Sequence, residues 1–172
     1  MRFGEFLKAT VLLSAGTATL LAAVTVIGLS RESDRTLLVF CAVWWIGAVL
    51  IGILLGRRAE TSPPIARLLA MARVQHSLPE LHPARTIFNR LWPLLLCTVG
   101  AGVLSLWAPQ ISGIAAGFAI IWSLAWRRQE AAVAAIEERD GARFYVDRTS
   151  PLSAIRLIRT PGFGGDFLHT RA

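Results

Sequence analysis

Apolar residues in this chain come in long blocks rather than in short alternations. From Thr10 to Leu29, 20 residues pass without a charge, and from Thr36 to Gly56 a further 21. Each block matches the roughly 20 residues that cross about 30 Å of hydrocarbon at about 1.5 Å per residue. Two shorter blocks follow, Leu91–Trp107 with 17 residues and Ile111–Trp126 with 16, joined by Ala108-Pro109-Gln110. A three-residue connector allows only a tight reversal. The pattern predicts an all-α membrane protein with four transmembrane helices arranged as two hairpins, over 10–29, 36–56, 91–107 and 111–126. The second pair is short, so a hairpin that dips into the bilayer and returns on the same side stays open. Arg2 and Lys8 ahead of the first block suit a signal peptide, but the apolar core is too long and no small-x-small cleavage site precedes Arg31. A retained helix is expected.

The segments outside these blocks have their own periodicity. In the connector 57–90, Thr61-Ser62-Pro63-Pro64 offers cap residues and first-turn prolines. Ile65, Leu68, Leu69 and Ala72 then share a face flanked by Arg67 and Arg73, which predicts an amphipathic helix over 64–76. That helix would lie in the inner headgroup layer or pack on the chain's own tail. Ser77-Leu-Pro-Glu80 has the form of a capping box, and Leu81-His-Pro83 marks a break. Beyond Trp126, good helix formers run over 127–140 as a helical extension that stops at Gly141. Arg143–Val146 and Ala154–Ile158 read as two strands of a β-hairpin over 143–158. A lone hairpin is marginal in water, so it needs a surface to dock on. The division expected is a transmembrane domain over 1–126 and a cytoplasmic tail over 127–172.

Composition sharpens the picture. Hydrophobic residues make up 54% and charged ones 17%, with a mean hydropathy of +0.54, which excludes a disordered chain, a coiled coil and an ordinary soluble domain. The net charge of +7 matters by its location. If four helices cross, 16 of the 18 basic residues fall on one side, and only Arg31 and Arg35 fall on the other. Cytoplasmic loops carry such an excess, so both termini are expected to be cytoplasmic in a bacterial plasma membrane. Arg57, Arg58, Arg67, Arg73, Arg127 and Arg128 would then sit at the membrane surface, where each basic side chain gains about 1 kcal/mol from anionic lipid.

Within the four blocks there is no Asp, Glu, Lys, Arg or His. That weighs against a proton relay, an ion-coupled carrier or a voltage sensor. Small and hydroxylated residues recur instead at helical spacing. Thr10, Ser14, Thr17, Thr25 and Gly28 share a face of the first helix, and Thr98, Ala101, Gly102 and Ser105 cluster on the third. Cys41, Trp45, Ala48, Gly52 and Gly56 share a face of the second, where Gly52–Gly56 is a GxxxG; Gly113–Gly117 is another in the fourth. Such residues let backbones approach closely in lipid, so Gly52, Gly56, Gly113, Gly117, Thr17, Thr25, Thr98 and Ser105 are expected to pack helices. The functional alternatives are a solute path along the hydroxyls or a homo-oligomer seam along the glycines.

Trp92, Trp107, Trp122 and Trp126 fit interfacial anchoring. Trp44 and Trp45 lie near mid-membrane, and Trp45 is expected inside the bundle with its N–H on a hydroxyl or carbonyl. Cys41 and Cys97 fall at different depths and are expected to be buried free thiols. His76, Glu80 and His82 lack the further ligands of a metal site, and His169 is isolated. Thr160-Pro-Gly-Phe-Gly-Gly165 lacks the context of a phosphate loop. Acidic residues interrupt the tail's arginines and no nucleic-acid-binding module is present. No cofactor, metal or nucleic-acid partner is expected.

Ile136–Pro151, continuing to Ile158–Phe163, resembles the tail of a bacterial family of small, uncharacterised integral membrane proteins, and Leu91-Trp-Pro93 and Trp126-Arg-Arg128 are similar to it as well. The resemblance implies a four-helix membrane protein and brings no activity with it. The function expected is that of a non-enzymatic anchor or accessory subunit presenting its basic loop and tail to a cytoplasmic partner. The alternative is a transporter or channel subunit that acts as a homo-oligomer. A membrane enzyme ranks last, since no two of the candidate groups form a catalytic constellation.

Overall fold

The computed structural model describes residues 1–32, 34–57, 63–74, 83–147 and 155–161. Its elements are α1 (Phe3–Glu32), α2 (Arg35–Leu55), α3 (Pro63–Ala70), β1 (Arg73–Val74), α4 (Pro83–Leu104), α5 (Gln110–Trp126), α6 (Gln129–Arg139), β2 (Ala142–Val146) and β3 (Leu157–Pro161). The protein is mostly helical with a small sheet. Three helices, α1, α2 and α4, are long and apolar enough to cross a membrane, as a membrane protein requires. The fourth expected span, α5, has 17 residues, the lower end of the spanning range.

Contacts divide the chain into two units. A bundle unit holds 9–58 and 91–127, and a sheet unit holds 1–8, 59–90 and 128–172. In the bundle unit, Asp34 caps α2 by accepting a hydrogen bond from the Leu37 N–H at 3.0 Å. The stripe Thr10, Ser14, Ala18, Leu21, Thr25 and Leu29, spaced by three and four, is the buried face of α1. The opposite faces are apolar and open: on α2, Phe40, Val43 and Ile46 are each 63% exposed. In water that row would be an uncovered hydrophobic patch; in lipid it is the solvated surface.

The sheet unit differs from the expected tail. Antiparallel β2–β3 pairing runs from Ala142↔Pro161 to Val146↔Leu157, so the second strand begins at Leu157 rather than Ala154. The sheet has a third strand, because β1 pairs in parallel with β3 in the order β1-β3-β2. Residues 73–74 thus lie in a strand, and the helix predicted over 64–76 is α3, which ends at Ala70. On the far edge of β2, Arg2 bridges Tyr145, and the Val146 N–H donates to the Met1 carbonyl at 3.1 Å. The surface that a marginal hairpin needs comes from the chain's own start and its long connector. Phe3, Phe6, Leu7, Ile65, Val133, Phe144, Leu157 and Ile158 are buried in this unit.

Helix boundaries differ too. The extension predicted over 127–140 is a separate helix, α6, with Arg128 at φ −99° and ψ −6° ahead of it. Gly141, at φ +57°, follows the cap Asp140 as the left-handed stop that the sequence predicts. α4 starts at Pro83 instead of Leu91, with proline in the first-turn position where its missing N–H costs nothing.

Candidate functional site

Both GxxxG motifs lie in the contact between α2 and α5, which is closely packed. A Cβ added at Gly52 would stand 2.8 Å from the Leu124 Cβ and 3.2 Å from the Ile121 Cα. One added at Gly56 would run into the Leu124 carbonyl, and one at Gly117 into the Trp44 indole. At Gly113 it would meet the Cys41 Sγ at 2.6 Å and the Thr25 Cγ2 at 3.0 Å. The four glycines therefore serve packing within one chain. The partners advance together, from Cys41 beside Gly113 to Gly56 beside Leu124, so α2 and α5 run parallel.

Two indoles lock this contact. The Trp45 Nε1–H donates to the Gly113 carbonyl at 2.8 Å, as the sequence predicts, and the Trp44 Nε1–H donates to the Ile114 carbonyl at 3.2 Å. Trp44 also meets Phe118 edge-on, with ring centroids 5.5 Å apart. The role of Trp44 was hidden in the sequence, because nothing there says that α2 and α5 are neighbours. Trp122 stacks on Trp126 at 5.2 Å.

The hydroxyls are bonded rather than aimed at open space. Thr25 Oγ1 donates to the Leu21 carbonyl and lies 2.8 Å from Ser112 Oγ. Ser112 was not predicted as a site residue, yet it is fully buried and joins α1 to α5. Thr98 Oγ1 donates to the Leu94 carbonyl at 2.7 Å and lies 3.4 Å from Thr17 Oγ1. Ser105 Oγ donates to the Gly102 carbonyl at 2.6 Å. Gly102 itself packs against nothing, since an added Cβ there would find no atom within 4 Å; the same holds for Gly100. Ala101, between them, packs instead with Leu21 of α1 and Ala116 of α5, and beside that contact a cleft of about 290 Å³ lies between α1, α4 and α5, lined by Thr17, Thr98, Cys97, Trp122 and otherwise hydrocarbon. Cys97 is exposed, against the expectation of a buried thiol, because it faces that cleft; Cys41 is buried.

The sheet unit has a different kind of surface. A depression of about 450 Å³ has an apolar wall from Ala66, Leu69, Ile136 and Phe144 and a charged rim from Arg139, Asp140 and Arg159. Arg139 Nε donates to Asp140 Oδ1 at 2.9 Å. That bond, with the nearby Arg159 charge, holds the Asp140 carboxylate below its ordinary range. Glu137 Oε1 accepts the Phe144 N–H at 2.9 Å and ties α6 to β2.

Comparison with protein families, with curated proteins and with solved structures finds no match for this chain.

Of the predicted membrane-surface arginines, Arg57, Arg67, Arg127 and Arg128 are exposed, and Arg73 is placed by its backbone in β1. Arg58, His76, Glu80, His82 and His169 lie outside the described residues, as do the predicted cap at Thr61-Ser62, the capping box at 77–80 and most of the 160–165 glycine segment. Among the described residues, no group of three or more His, Cys, Asp or Glu side chains is placed to hold a metal ion.

Proposed function

We propose that this chain is a multi-pass protein of the bacterial plasma membrane, crossing it four times through α1, α2, α4 and α5, with both termini in the cytoplasm. Its role is that of a non-enzymatic anchor or accessory subunit, which holds the sheet unit at the membrane for a cytoplasmic partner. One observation carries the reading. Residues 1–2, 73–74, 142–146 and 157–161 pair in a single sheet, so the chain start, the long connector and the tail share one side of the bilayer. Between each of these segments the number of crossings is then even.

Two contacts support full crossings by the second pair of helices. Gly28, near the far end of α1, sits against Pro109, where a Cβ added to the glycine would lie 3.1 Å from the proline Cβ. The turn between α4 and α5 thus reaches as deep as α1 does. From there α5 runs beside α2 as far as Gly56, the cap of α2. A hairpin that turned back halfway would match neither contact. The shared side is also the side of 16 of the 18 basic residues, which supports a cytoplasmic placement.

The mixed apolar and charged depression beside Phe144 and Arg159 supports a protein-facing role, since a greasy floor with a polar rim is the usual anatomy of a docking surface. The test has two arms. Reporter enzymes fused to either chain end should be active only in the cytoplasm, and a reporter active outside the inner membrane at either end sinks the topology. Deleting 142–172 should leave insertion intact and abolish co-purification of a specific protein from gently solubilised membranes. An unchanged set of companions counts against the anchor role.

A further inference from the structure

The cleft between α1, α4 and α5 is a site with no assigned occupant, and its chemistry is narrow. Its walls are Leu21 of α1, Leu94, Cys97 and Thr98 of α4, and Ala119 and Trp122 of α5, around about 290 Å³, close to the lower bound of about 300 Å³ for small-molecule pockets. No charged side chain lines it. Its hydroxyls are already engaged, Thr98 with the Leu94 carbonyl and with Thr17. Water in such a space would find too few polar partners to replace those it left. A polar solute would lose its hydration without compensation.

We infer that the cleft holds one acyl chain of an inner-leaflet phospholipid. The inference rests on the proposed topology, which puts hydrocarbon around these helices and puts Trp122 near the inner surface. Two observations converge on that occupant. The walls offer dispersion contacts and carry no charged side chain. At one end the cleft is bounded by Trp122, stacked on Trp126, and indoles of this kind favour the headgroup layer where an acyl chain meets its glycerol. Filling the gap restores contacts that a void forfeits, so a resident chain would stiffen the seat of α4.

The experiment uses the full chain in bilayer nanodiscs made with a phosphatidylethanolamine that bears a diazirine midway along one acyl chain. After illumination, cross-links are mapped by mass spectrometry. Cross-linking should concentrate on residues 94–98 and 115–122. It should fall roughly tenfold there, the factor set by about 1.4 kcal/mol of lost affinity, when the cleft is filled by Ala119→Phe or, from its exposed rim, by Cys97→Trp. Labelling of the outer face of α2, at Phe40, Val43 and Ile46, should not change. Even labelling of all lipid-facing residues, or cleft labelling that survives both substitutions, overturns the inference. Efficient disulfide formation between Cys97 residues of two copies would make the occupant a second chain and overturn it as well. Absence of labelling on the α2 face would instead sink the membrane topology beneath it.

Discussion

Eleven glycines lie among the residues with defined surroundings, and they do not share one job. Gly117 and Gly16 are both helical residues in apolar surroundings, yet an added methyl would strike the Trp44 indole at the first and touch nothing at the second. Gly117→Ala should therefore destabilise the bundle by about 1–3 kcal/mol through overpacking. Gly16→Ala and Gly100→Ala should be neutral or stabilising by up to about 1 kcal/mol, the ordinary helix preference of alanine. Thermal unfolding in detergent separates the two classes, and equal shifts at all three positions would contradict the packing described. The Thr25–Ser112 pair can be read in the same way. A double-mutant cycle of Thr25→Val and Ser112→Ala should return a coupling of about 0.6 kcal/mol, the usual worth of such bonds in membranes. The two thiols offer a further check: a lipid-soluble maleimide should modify exposed Cys97 many times faster than buried Cys41.

At the scale of elements, the N-terminal turns of α1 are as much a part of the sheet unit as the strands are. Phe3 is 2% exposed, and the residues just before it pair with β2. Phe3→Ala should cost the sheet unit about 3–5 kcal/mol, as truncation of a buried aromatic does. The readout is limited proteolysis of the tail, which should be cut sooner in the variant while the bundle unit stays protected. The link between α6 and β2 depends on Gly141, whose φ of +57° a side chain adopts only with strain. Gly141→Ala should lower stability by about 1–2 kcal/mol with no change in helix content.

For the whole molecule, the pairing of distant segments means that the parts of the chain before and after the long connector depend on each other. α2 meets α5 across more than 60 residues of sequence, and β1 meets β3 across a similar interval. If the chain is cut between residues 80 and 81, outside the described residues, and the halves are expressed together, they should co-purify; each expressed alone should be degraded. Gly113→Leu with Gly117→Leu should weaken that association, and together with deletion of 142–172, which removes β2 and β3, should abolish it. Co-purification unchanged by the two leucines would mean that the α2–α5 contact does not help to join the halves.

What the residues disclosed on their own was the apolar or polar character of each segment, because the transfer free energy of a side chain into lipid is a local property that adds along the chain. The apolar blocks, the arginines that flank them, the stop at Gly141 and the hydrogen-bonded N–H of Trp45 all follow from such local terms. Even the glycine faces could be marked as contact surfaces, since small size is visible in the residue itself. Pairing was the part that only the tertiary structure decided. GxxxG says that something comes close and not what, so the sequence could not choose between a second copy and a helix of the same chain. Two-residue β1 is too short for any periodicity, and Met1 and Arg2 belong to no pattern at all. Their places are set by hydrogen bonds to strands far along the chain. An energy shared between residues more than 80 positions apart leaves no trace in either one's neighbourhood.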